Sequence, residues 1–107
     1  MVDELEFRSL ADAALGLLLQ HLIEREEDDH AGFEVEGQGG LLNVIFQQPP
    51  AKFVITPNTP VRQIWISALS TSFKLDWDLA ASAFVLHKTG EHLLPLVDRL
   101  IADHLRG

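Results

Sequence analysis

An α+β fold is expected for this chain: a two-layer sandwich in which N- and C-terminal helices pack on one face of an antiparallel β-sheet of about six strands. Three observations predict it. Apolar residues recur at helical spacing near both ends of the 107 residues, they alternate with period two from about residue 33 to 88, and turn-forming residues interrupt that alternation at short intervals. A helix carries one apolar stripe, so the order helix, strands, helix places both helices against one face of the sheet and leaves the other face to solvent.

The first helix is expected from about residue 3 to 28. Phe7, Leu10, Ala14, Leu17, Leu18 and Leu22 fall at three- and four-residue steps, which turns Arg8, Asp12, Gln20, Glu24 and Glu27 toward water. Gly16 weakens this helix slightly. Phe33 and Val35 then alternate with Glu34 and Glu36, Leu42, Val44 and Phe46 with Asn43, and Ile64 and Ile66 with Gln63 and Trp65. Breaks at 37–40, 47–50, 57–60, 68–72 and 78–82 separate six short strands joined by tight connections, the pattern of an antiparallel meander. A second helix is expected from about residue 92 to 105, burying Leu93, Leu96, Val97, Leu100, Ile101 and Leu105. Pro95 must lie in its first turn, where a missing amide costs little.

Composition bounds the function. Hydrophobic residues make up 47% of the chain, enough for one modest core, so residues 1–107 are expected to form a single domain. A net charge of −8 argues against binding nucleic acid through its phosphates, which requires a basic face. No stretch has the length of a membrane span and the first residues lack the layout of a secretory signal; a cytoplasmic protein is expected. With no cysteine there is no disulfide, no thiolate nucleophile and no thiolate metal ligand, so any metal must be held by oxygen or imidazole. Glycine-rich phosphate loops, nucleophile elbows and HExxH are also absent.

The charge is unevenly placed. Residues 1 to 36 hold eleven acids and two bases, a balance of −9, while the other 71 residues stand at +1. Such an acidic flank suits cations or a basic partner. Its densest part is Glu24, Glu26, Glu27, Asp28 and Asp29, at the negative end of the first helix, where each carboxylate is disfavoured by roughly 0.3 to 1 kcal/mol. Glu24, Glu27 and Asp28 share one helical face and repel unless a cation lies between them, and Glu34 and Glu36 on the first strand extend the patch. Carboxylates are hard ligands suited to iron, manganese, calcium or magnesium, and exposed ones bind weakly and with little selectivity. His30 is the better imidazole candidate beside this run; His21 reads as an ordinary surface residue, His87, His92 and His104 as structural or solvated, and Asp76, Asp78 and Asp103 as bystanders.

Trp65 is the second candidate feature. A strand tryptophan is usually core, but Ile64 and Ile66 are the natural inward pair, which sends Gln63 and Trp65 to the uncovered face together with Asn43. An indole there is the kind of anchor that protein interfaces use. Whether Trp77 is an edge or a core residue is left open by the pattern.

The segments ITPNTPVRQIWIS (55–67) and GGLLNVIF (39–46), with EFRSLAD (6–12), LDW (75–77) and Gly90 before the last helix, resemble the frataxin family, especially its bacterial members. The likeness covers nearly the whole chain. It implies a two-layer sandwich and a non-catalytic accessory role in iron-sulfur cluster assembly. An acidic ridge on the first helix and first strand would bind iron, ferrous or ferric, weakly, and the protein would dock on the cysteine desulfurase and scaffold complex to regulate cluster formation. It implies a monomer, with oligomerisation by iron as the open alternative. A generic acidic interaction module that never meets iron, and a weak ferroxidase, are the other readings. The chain departs from the family pattern at Thr56, where relatives often carry asparagine, at the unusual Pro57, and at Phe84, where many carry tryptophan. Leu18, Leu19 and Gln20 stand where bacterial relatives tend to carry acids, which shortens the ridge.

Overall fold

A computed structural model describes residues 2–28 and 30–106. Helix α1 spans Glu4–Glu26 and is followed by β1 (Phe33–Gln38), β2 (Leu41–Gln47), β3 (Pro50–Asn58), a 3-10 turn (Thr59–Val61), β4 (Gln63–Ala68), β5 (Thr71–Asp78), β6 (Ala83–Leu86), β7 (Glu91–His92) and α2 (Leu93–Arg106). The strands form one sheet in sequence order, and each neighbouring pair is antiparallel. The expected sandwich is therefore present, with seven strands in place of about six. The extra one is the two-residue β7, whose His92 was expected to open the second helix; its pairing with Val85 holds it extended, so α2 begins at Leu93.

Local chemistry explains most boundaries. The Asp3 side chain caps α1 by accepting the Glu6 amide at 2.8 Å, satisfying a donor that the first helical turn leaves free. Between β1 and β2, Gly39 and Gly40 both have positive φ, the conformation a two-residue hairpin requires to match the strand twist. The strand β3 continues through Pro57, where a break was expected. Its pairing with β2 stops at Ile55, so this proline sits where the strand has one neighbour only.

The core lies between the helices and the inner sheet face. Phe7, Ala11, Leu15, Leu18 and Leu22 of α1 meet Val44, Phe53, Ile55, Ile64, Ile66 and Leu75 of the sheet. Leu17, expected inside, is 64% exposed; the stripe runs through Phe7, Ala11, Leu15, Leu18 and Leu22, since adjacent Leu17 and Leu18 point about 100° apart on a helix and only Leu18 faces the sheet. On α2 the buried stripe ends at His104 and Leu105 turns outward. His104 Nε2 donates to the Pro49 carbonyl at 3.0 Å while its ring packs 4.4 Å from Phe46, so a polar side chain closes this end of the core with its hydrogen bond satisfied. Trp77 is resolved as a partly buried inner-face residue against Phe84, whose other side meets Phe7 edge-on. Among the described residues no helix is long and apolar enough to cross a membrane.

Candidate functional site

Two surfaces hold the candidate residues, and they differ in construction. The first is the acidic end of α1 beside the sheet edge. Glu26, Glu27, Asp28 and Glu34 border one cleft of about 490 Å³, with Ala31, Gly32, Phe33 and Val35 as its floor and walls. Glu24, Glu36 and His30 are exposed but do not line it, and Asp29 lies outside the described residues. The helix ends at Glu26, so Asp28 stands past the last turn, and the expected shared face of Glu24, Glu27 and Asp28 is broken there.

Two of the cleft carboxylates already have work to do. Glu26 Oε2 accepts the Val35 amide at 2.6 Å, and Asp28 Oδ1 accepts the His30 amide at 2.8 Å. β1 is an outer strand, so the Val35 amide has no strand to pair with on that side; Glu26 supplies the acceptor. Among the described residues, no three His, Asp or Glu side chains close around a common point that could hold a metal ion. The cleft therefore concentrates negative charge without a preformed coordination shell, which suits loose, exchangeable cation binding. His21, read from sequence as an ordinary surface residue, has another role: its Nε2 lies 2.9 Å from Asp98, which also takes Arg25 at 3.1 Å, so it ties α1 to α2.

The second surface is the outer sheet face. Ile64 and Ile66 are fully buried and Trp65 is half-buried on the opposite side, as the alternation predicts. The Trp65 indole Nε1 donates to Gln63 Oε1 at 2.8 Å, and Lys74 Nζ lies 4.8 Å from the ring centroid. Gln63 Nε2 in turn donates to Asp76 Oδ1 at 3.0 Å. Asn43 needs correction: it is on this face but only 7% exposed, with Val54 and Glu36 opposite it, and β3 separates it from Trp65. It offers little to a partner.

His87 is exposed, in keeping with its reading as structural or solvated, whereas sequence reasoning did not weigh Lys74 and set Asp76 aside as a bystander. The signal was available: the short turn at Leu69 and Ser70 sets Trp65 opposite Lys74 and Gln63 opposite Asp76. His87 stands between two aspartates, with Nδ1 3.6 Å from Asp76 and Nε2 3.5 Å from Asp78. The Ala81 amide, helped by His87, holds the Asp78 carboxyl below its ordinary value.

Against known proteins, the family model described as a frataxin-like domain matches residues 1–107. The chain is 26% identical over 104 residues to the iron-sulfur cluster assembly protein CyaY of Azotobacter vinelandii, covering 97% of this chain and 90% of that one. It is 34% identical over 94 residues to the mitochondrial frataxin of Dictyostelium discoideum, covering 86% of this chain and 48% of the other. A solved frataxin from Psychromonas ingrahamii superposes with a TM-score of 0.75 at 23% identity, over 96% of this chain and 91% of that one, a likeness of fold.

Proposed function

The chain belongs to the frataxin-like family, and on that premise we propose that it is an accessory and regulatory protein of iron-sulfur cluster assembly, acting in the cytoplasm. It carries iron loosely at the acidic end of α1 and docks on the cysteine desulfurase and scaffold complex through the outer sheet face. Iron is cargo in this reading, held by Glu27, Glu34 and neighbouring carboxylates; Glu26 is less available because the sheet edge uses it. Two CyaY relatives carry iron-sulfur cluster assembly in their names.

One observation carries the docking half of this reading: an indole stands on a sheet face that no helix covers, fixed by Gln63 and Lys74. Among the described residues no three His, Asp or Glu side chains gather around one point, which supports an accessory role over ferroxidase chemistry, since electron transfer from iron to oxygen calls for a preorganised centre with open positions. An acidic module that binds a basic partner without iron is the competing reading, and the concentration of carboxylates at this cleft suits it equally.

Anaerobic titration with ferrous iron, followed by NMR, separates them. Selective broadening of amides at Glu24, Glu27, Asp28, Glu34 and Glu36 supports iron cargo, and uniform broadening overturns it. Pull-down with the desulfurase and scaffold tests docking: Trp65→Ala should keep its fold and weaken capture by on the order of 2 kcal/mol. Undiminished capture would remove the sheet face as the docking surface.

A further inference from the structure

The outer face holds its central indole through a chain of polar contacts that joins two strands, β4 and β5. Asp76 Oδ1 accepts from Gln63 Nε2 at 3.0 Å, and Gln63 Oε1 accepts from Trp65 Nε1 at 2.8 Å. An amide side chain has one donor end and one acceptor end, so the two contacts are not independent. If the Gln63 amide turned over, its NH₂ would face the indole N–H, donor against donor, and its oxygen would face the Asp76 carboxylate, acceptor against acceptor. Asp76 therefore sets which end of Gln63 meets Trp65. The other carboxylate oxygen, Oδ2, lies 3.6 Å from His87 Nδ1 on the far side. The pairing of β4 with β5 builds this arrangement directly, aligning Gln63 with Asp76 and Trp65 with Lys74. Lys74 covers the ring while Asp76 governs its N–H, so two residues of β5 restrain the indole from different directions.

We propose that Asp76 is a positioning residue of the docking face: by orienting the Gln63 amide it holds the Trp65 indole in the pose a partner protein meets, so that binding does not have to order the ring. This rests on the reading of the outer face as the docking surface. Preorganising a large aromatic contact lowers the entropy lost on association.

The test uses the full chain and its Asp76→Ala, Asp76→Asn, Gln63→Met and Trp65→Ala variants. The first readout is the indole N–H resonance of Trp65, assigned by its loss in Trp65→Ala, with that of Trp77 as internal reference. Asp76→Ala should shift the Trp65 resonance upfield and speed its solvent exchange, leaving Trp77 unchanged. Asp76→Asn keeps an oxygen acceptor for Gln63 and should restore the resonance. The second readout is affinity for the desulfurase and scaffold complex, which Asp76→Ala should weaken about tenfold. In a Gln63→Met background the same change should add nothing to either readout. An unmoved indole signal in Asp76→Ala, or an equal affinity loss with and without Gln63, overturns the positioning role while Trp65→Ala still weakens binding. If Trp65→Ala binds as wild type, the docking face itself is overturned, and the role of Asp76 with it.

Discussion

The Glu26 carboxylate accepts the amide of Val35 at 2.6 Å, joining the last turn of α1 to the outer edge of the sheet. Glu26 thus ties the helix to the sheet, whereas Asp28 accepts only the His30 amide two residues on and Glu24 has no such bond among the described residues. A charged acceptor on a half-buried amide contributes about 1.5 to 3 kcal/mol. Glu26→Ala should lose about that much in urea unfolding. Glu24→Ala should be neutral or gain about 0.3 kcal/mol, since it removes a carboxylate from the negative end of the helix. Equal effects at the two positions would contradict the assignment.

Gly16 lies in the interior of α1, and a methyl group added there would meet nothing within 4 Å. Alanine costs a helix less than glycine by about 1 kcal/mol because it leaves the unfolded chain less freedom to lose. Gly16→Ala should raise the unfolding midpoint accordingly. A lower midpoint would mean that the glycine serves some need of the helix other than space.

The β4–β5 hairpin turns on two non-glycine residues with positive φ, Leu69 at 52° and Ser70 at 66°. Side chains in this region cost about 1 to 2 kcal/mol each, and Asn-Gly is the pair that such a turn accepts most readily. Replacing Leu69 and Ser70 by Asn and Gly should stabilise the protein by about 1 kcal/mol or more, measured by thermal or urea unfolding. Because the turn sets the register of Trp65 and Lys74, partner affinity should be retained.

Glu91 accepts from Arg99 at 2.6 Å, which holds its carboxyl below the ordinary value, and its contact with the Thr89 hydroxyl acts in the same direction. A carboxyl depressed in the folded state adds stability above its unfolded value and loses it as pH falls through the folded one. Glu91→Gln should therefore be less stable than wild type at pH 7, with the gap closing as the pH falls below about 4. A gap that does not change with pH would show that the carboxylate charge is irrelevant.

The acidic flank should make the fold sensitive to ionic conditions. Glu27, Asp28 and Glu34 border one cleft, and their repulsion is screened by salt and relieved by a bound cation. Moderate salt or millimolar divalent cation should raise the melting temperature. Glu27→Gln combined with Glu34→Gln should shrink that rise, and an undiminished response would place the sensitivity elsewhere.

Periodicity alone determined much of this protein. The shift from helical spacing to alternation and back specified the α+β order, because burial needs one apolar stripe on a helix and one apolar face on a strand. The same alternation put Ile64 and Ile66 inside and Trp65 outside, and the charge count located the acidic flank. Local spacing did not settle which of the neighbouring Leu17 and Leu18 faces the sheet, and packing chose Leu18. Nor could local spacing foresee contacts made across the fold. Glu26 reaches Val35 only because α1 ends beside the sheet edge, His21 meets Asp98 only because α1 and α2 lie together, and Asn43 is hidden by its neighbours. Asp76 orients Gln63 only once β5 lies against β4. Each of these depends on distance between residues far apart in the chain, which packing decides and a local pattern does not encode.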